Sequence, residues 1–158
     1  MGMKFSLVAA LAHAPRLLIL DEATSGLDPV VRDDILDELL AFVGDESRSV
    51  LFSSHITSDL QKVADYITFV QNGKVTLTEK KDSLIYDYGI MRCTAAQFAQ
   101  LNPADMLAHR RLPYQVDVLV ASKKAAQAKY SGIQIDNAGI EAIMLLLVKG
   151  RNVVEVAK

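Results

Sequence analysis

Two adjacent carboxylates, Asp21 and Glu22, close the run Leu17-Leu18-Ile19-Leu20. Side chains alternate along a strand, so the two groups diverge and can do different work. Asp21 suits a Mg²⁺ ion held through its water shell, because Mg²⁺ takes carboxylate and water oxygen. Glu22 suits polarisation of an attacking water. Ala23-Thr24-Ser25-Gly26-Leu27-Asp28-Pro29 follows directly. A second imidazole-bearing stretch, Leu51-Phe52-Ser53-Ser54-His55, ends another apolar run. In a parallel sheet the carboxyl ends of neighbouring strands converge, and ligands bind beyond them. His55 is therefore expected near Glu22, within reach of one bound phosphate and the attacking water.

These residues need strands and helices to hold them. Leu17–Leu20 and Ser49–Ser53 are continuous apolar runs of strand length, the pattern of strands buried on both faces. Residues 3–13 form a helix that Pro15 ends. Asp28 caps a second helix, with Pro29 in its first turn, running to about Val43. Thr57–Ala64 forms a third. Tyr66–Gln71 and Lys74–Thr78 form a hairpin about Asn72-Gly73. The pattern is one part of an α/β domain.

The texture then changes. Residues 1–82 carry net charge −5 and residues 83–158 net +3, which divides the chain into two units. The second unit reads as strands at Tyr88–Arg92, Gln115–Val120 and Ile133–Ile135. Its helices are expected at Ala95–Leu101, Pro103–His109, Lys123–Tyr130 and Asn137–Leu147. His109-Arg110-Arg111 reads as a solvated turn. The fold expected is α/β: a partial P-loop NTPase-type parallel sheet with helices over residues 1–85, then a small α+β accessory domain over residues 86–158.

Composition narrows the classes. With 51% apolar and 23% charged residues, the chain can bury a core. A net charge of −2 gives no reason to expect nucleic acid as a partner. The single cysteine, Cys93, cannot form an intramolecular disulfide and reads as a small buried hydrophobe. The apolar run Ala142–Val148 is far short of the roughly 20 residues that span a bilayer. Lys4 followed by Phe5–Ala12 has the outline of a short signal peptide, a reading the motifs below displace.

Taken in order, the motifs resemble the nucleotide-binding domain of ABC ATPases, over about residues 1–85. Leu17–Asp21 resembles the Walker B strand and Glu22 the catalytic glutamate. Ser25-Gly26-Leu27-Asp28 resembles the D-loop and His55 the switch histidine. Met1-Gly2-Met3-Lys4 resembles the tail of the signature motif, in the variant seen in bacterial ABC-2 type exporters. The resemblance implies an ATP-binding and ATP-hydrolysing transporter subunit that uses ATP and Mg²⁺. Glu22 and His55 would be catalytic, Asp21 would organise the metal, and Asp28 would couple two sites across a dimer. Gly2 would open the helix that faces the γ-phosphate, where backbone N–H groups and the helix dipole attract anions. The implied partners are a membrane permease and a second ATP-binding subunit. The implied location is cytoplasmic, peripheral to the inner face of the cell membrane.

No Gly-x-x-x-x-Gly-Lys-Ser/Thr occurs in the 158 residues. That loop supplies the N–H cradle and the lysine that grip the phosphates. The expectation is a truncated ATPase, inactive by itself. The alternative is a non-catalytic fragment acting as an interaction or dimerisation module.

Overall fold

The computed structural model describes residues 2–153, with side chains from residue 6 onward, so Met1 lies outside the described residues. The chain forms two compact units, one through Ala64 and one from Asp65. The hairpin thus groups with the second unit, whereas the sequence reading put the domain boundary after residue 85.

In the first unit, helix α1 (Gly2–Leu11) precedes strand β1 (Leu17–Asp21). Helix α2 (Pro29–Val43) crosses over to strand β2 (Ser49–Ser53), and α3 (Thr57–Val63) follows. Strands β1 and β2 pair in parallel, in register from Leu17↔Ser49 to Asp21↔Ser53. Helix α2 starts where it does because Oδ1 of Asp28 accepts from the N–H groups of Val30 (3.1 Å) and Val31 (3.0 Å). These would otherwise be orphan donors at the helix start. Ile35, Leu39 and Phe42 of α2 pack with Leu7 of α1 and Leu18 of β1 to make the core.

The strands are not buried on both faces. Leu17, Ile19 and Leu51 are 54%, 67% and 62% exposed, while Leu18 is buried. The helices of this unit cover one face only, and strand alternation turns every second apolar residue to the uncovered side. The sequence expectation of two buried faces is corrected on that point.

The second unit opens with hairpin β3 (Tyr66–Gln71) and β4 (Lys74–Lys80). Asn72 and Gly73 turn it at φ +51° and +74°, the left-handed conformations a tight hairpin turn requires. A short helix α4 (Lys81–Tyr86) leads to β5 (Gly89–Cys93) and α5 (Ala95–Phe98). After a 3₁₀ turn (Pro103–Asp105) come β6 (Ala108–Arg111), β7 (Val116–Val120) and α6 (Lys123–Lys129). Then follow β8 (Gln134–Asn137), α7 (Ile140–Lys149) and β9 (Arg151–Asn152). The five strands form one antiparallel sheet ordered β8-β5-β7-β6-β9. Met91, Cys93, Val116, Val118 and Val120 build the core on one face with Leu101, Met106 and Ala126. Helix α7 packs on β6 and β7, burying Ile140, Ile143, Leu146 and Leu147. Cys93 sits in the core, where burial pushes its thiol pKa up and makes it a poor nucleophile.

The helix expected over Pro103–His109 is a 3₁₀ turn followed by a strand. Ala, Met and Leu favour a helix locally. Pairing of Ala108–Arg111 with Leu119–Val116 on β7 overrides that preference. His109-Arg110-Arg111 is therefore strand, not turn.

Arg92 ties three strands together, donating to Asp117 on β7 at 2.6 Å and to Asp136 on β8 at 3.1 Å. Gln134 and then Arg92 hold the Asp136 carboxyl below its ordinary pKa. Lys129 and then Tyr130 do the same for Asp105. A carboxyl depressed by folding stabilises at pH above its unfolded value, and that contribution is lost as pH falls through the folded value. Acid unfolding followed by circular dichroism is expected to show a loss of stability below about pH 4. The double variant D105N/D136N should flatten that acid limb, and an unchanged slope would contradict this assignment.

Candidate functional site

The parallel register fixes the site. It sets the ends of β1 and β2 side by side, so Asp21 lies opposite Ser53. The Ser53 hydroxyl donates to Oδ1 of Asp21. The same hydroxyl oxygen accepts from the N–H of Glu22 at 3.2 Å, and the Ser53 carbonyl accepts from that N–H at 3.0 Å. Serine thus links the two neighbouring acids without touching the Glu22 carboxylate. Ser53 was not among the site residues expected from sequence. The signal was available: two five-residue runs in parallel, aligned end to end, put the last residue of one beside the last of the other.

Glu22 is held at φ +50°. For a residue with a Cβ this left-handed conformation costs about 1–2 kcal/mol. It persists because the N–H is anchored on Ser53 and the carbonyl accepts from the Ser25 N–H at 3.0 Å. Such outliers cluster where side-chain aim matters. Here the carboxylate reaches the ring of His55, with Nδ1 of His55 2.7 Å from Oε2 of Glu22. An ionised carboxylate only accepts, so Nδ1 carries the proton and donates. That leaves Nε2 for another partner. The Glu22 and His55 side chains are 40% and 67% exposed, so both reach solvent.

Further contacts tie the helices of this unit together and hold the turn before α2. Lys62 on α3 bridges Asp33 (2.6 Å) and Asp37 (2.7 Å) on α2, locking together the helices that flank the site. The hydrogen bonds that Lys62 donates to Asp33 and Asp37 raise its pKa, so the ammonium stays charged through neutral pH. Arg32 Nη2 donates to the Leu27 carbonyl at 3.3 Å and steadies the turn before α2.

In the same unit Thr24 and Asp59 are almost fully buried. Oγ1 of Thr24 and Oδ2 of Asp59 have no hydrogen-bond partner. Asp59 lies in the first turn of α3, where an acidic residue looks like ordinary helix-start chemistry and gives no sequence signal of its burial.

The sequence-derived residues fall into two groups. Asp21, Glu22 and His55 come together at the ends of adjacent strands. Asp28 spends Oδ1 on the start of α2, and Gly2 is the first residue of α1. Asp21 offers one carboxylate next to a hydroxyl. That fits Mg²⁺ in the manner of sites where one or two carboxylates act together with substrate phosphates and water. Among the described residues no group of three or more His, Cys, Asp or Glu could hold a metal without such help. No helix among them is long and apolar enough to cross a membrane.

No family model matches the chain. Individual relatives do, each over about half of it. It is 38% identical over 84 residues to the lantibiotic transport ATP-binding protein SrtF of Streptococcus pyogenes, covering 52% of this chain and 36% of the relative. It is 34% identical over 85 residues to the glycine betaine/proline betaine transport system ATP-binding protein ProV of Escherichia coli (strain K12), covering 54% and 21%. It is 34% identical over 89 residues to the ABC transporter ATP-binding protein YtrB of Bacillus subtilis (strain 168), covering 55% and 30%. The matched region thus spans about a third or less of each of these relatives.

Removing the cap isolates its structural share. Asp28→Ala is expected to destabilise the first unit by about 1 kcal/mol. In a chain of this size that is a fall of roughly 2–4 °C in Tm. Asp28→Asn, whose amide oxygen can still cap, should stay close to the parent. Thermal unfolding by circular dichroism checks both, and an equal loss in the two variants would contradict a capping role.

Proposed function

Over about half of its length this chain is related to the ATP-binding proteins of ABC transporters, and from that premise we propose that it carries the water-activating part of an ATPase that powers transport. The observation that carries the proposal is the 2.7 Å contact between Glu22 and His55 at the ends of two parallel strands.

In this reading Glu22 takes the proton of the attacking water. The bond from His55 fixes which Glu22 oxygen stays available and keeps the carboxylate aimed. Nε2 of His55, on the far side of the ring, faces the γ-phosphate and helps hold it. Asp21 would hold the Mg²⁺ of Mg-ATP, and the ion would supply neutralisation of phosphate charge. Ser53, by donating to Asp21, keeps that carboxylate from swinging toward Glu22. The N-terminus of α1, opening at Gly2, offers N–H groups to a phosphate bound by a second ATP-binding subunit. Asp28, beyond its capping bond, lies on the turn that meets that subunit. The site works at the cytoplasmic face of the cell membrane, coupled to a permease.

The 158 residues contain no glycine-rich lysine loop, so the grip on the β- and γ-phosphates comes from another segment. By themselves these residues bind ATP weakly and do not turn it over. A second reading is an interaction or dimerisation module without catalysis. The uncovered apolar sheet face of Leu17, Ile19 and Leu51 favours it, since parallel strands are normally covered on both sides.

Fusing the chain behind a segment that carries a glycine-rich lysine loop tests the two readings. Phosphate release is measured with Mg-ATP. The catalytic reading expects turnover by the fusion and a fall of about 10²–10⁴-fold in Glu22→Gln, the range for loss of a general base. A folded, ATP-binding fusion whose turnover ignores Glu22→Gln would leave only the interaction module.

A further inference from the structure

Strand β6 carries a group of side chains that the ATPase reading does not use. Along it His109 and Arg111 fall on one face and Arg110 on the other, as strand alternation requires. Arg151 on β9 sits directly opposite His109. Phe98, at the end of α5, backs both: its ring centroid lies 4.8 Å from that of His109 and 5.4 Å from the Arg111 guanidinium carbon. The arrangement is held at backbone level by Gly150. A Cβ there would collide with the carbonyl oxygens of Leu146 and His109, so only glycine lets the chain leave α7 close enough to β6 to put Arg151 in place.

Among the described residues the charges in this cluster are uncompensated. Among the described residues neither Arg111 nor Arg151 has a carboxylate at ion-pair distance. Arg92, Lys62 and Lys129 of the same chain all do. Nδ1 of His109 is buried and has no hydrogen-bond partner. Burial first, and then Arg111 and Arg151, hold the His109 pKa below its ordinary value, so the ring is neutral. Arg151 lies opposite His109, and Arg111 lies two residues along the same strand, so two like charges share one face of the sheet. Two guanidinium groups beside a neutral imidazole match a doubly charged anion with several acceptor oxygens. Arginine forks bond phosphate through paired N–H groups, and the Phe98 ring restrains one of them.

We propose that Phe98, His109, Arg111 and Arg151 form a binding site for a phosphomonoester dianion on the sheet of the second unit. The anion belongs to a free phosphorylated small molecule or to a lipid headgroup, and the chemistry of recognition is the same for both. The site uses none of Asp21, Glu22 and His55 and does not depend on their role.

Two probes distinguish the sources, both with the full 158-residue chain at ionic strength held constant with chloride. Inorganic phosphate is titrated while backbone amide NMR shifts are followed. Flotation is measured with phosphatidylcholine vesicles, with and without phosphatidic acid. Saturable shifts at residues 98, 109, 111 and 151 support a free phosphate ligand. Flotation that needs phosphatidic acid, without such shifts, supports a headgroup. In either case Arg111→Gln and Arg151→Gln should each weaken binding roughly tenfold, the loss of one charge-assisted contact. Arg110→Gln, on the opposite face, should bind as the parent does. Both arginines are exposed, and the amide spectrum of each variant reports its fold. Should Arg111→Gln fail to fold, Arg151→Gln decides. No binding to either probe overturns the proposal. So does binding that all three substitutions weaken equally, which would be diffuse attraction to positive charge.

Discussion

The parallel pairing of β1 with β2 is the constraint on which the site depends. Five residues on each strand run in register, so both strands end at the same level. Asp21 then meets Ser53, and the next residue on one side, Glu22, can reach His55, two beyond the end on the other. A slip of one residue would turn every side chain to the opposite face and separate these groups. The register is set by the crossover through α2, whose start Asp28 fixes and whose apolar face docks on Leu18. Packing some distance from the chemistry thus determines whether an imidazole and a carboxylate touch. The left-handed backbone at Glu22 is the local cost of the geometry, held in place by hydrogen bonds to Ser53 and Ser25.

The same strands expose a tension in the first unit. Their sequences are apolar on both faces, yet only the face toward α1 and α2 is covered among the described residues. Leu17, Ile19 and Leu51 lie on the face that the helices of this unit leave uncovered. The second unit has no such imbalance in its sheet. Helix α7 packs on β6 and β7, α5 and α6 accompany the strands, and the charged Arg92 is satisfied by two aspartates.

Much of this was legible in the residues. Asp28-Pro29 followed by a helical apolar stripe gave the start and end of α2, because capping chemistry and periodicity act locally. Asn72-Gly73 gave the hairpin turn for the same reason. The meeting of Glu22 and His55 followed from one inference, that two apolar runs pair in parallel and so bring their carboxyl ends together. What local patterns could not give depended on distant partners. Strand β6 hides in a helix-favouring sequence and exists because β7 pairs with it. Strand β9 is only two residues long and has no pattern to read. Ser53 looked like a strand's polar end until the register put it against Asp21. The burial of Asp59 likewise needs the packing of α3, which no single residue type announces.

The account turns on the proton that joins His55 to Glu22. Nitrogen-15 NMR of the imidazole side chains, recorded on the 158-residue chain near pH 8, reads it directly. The geometry requires His55 to be the Nδ1–H tautomer, with its Nδ1 resonance moving when Glu22 is replaced by glutamine. A ring protonated on Nε2, or an Nδ1 signal indifferent to Glu22→Gln, would mean that the two side chains do not bond, and the proposed water-activating pair would not exist.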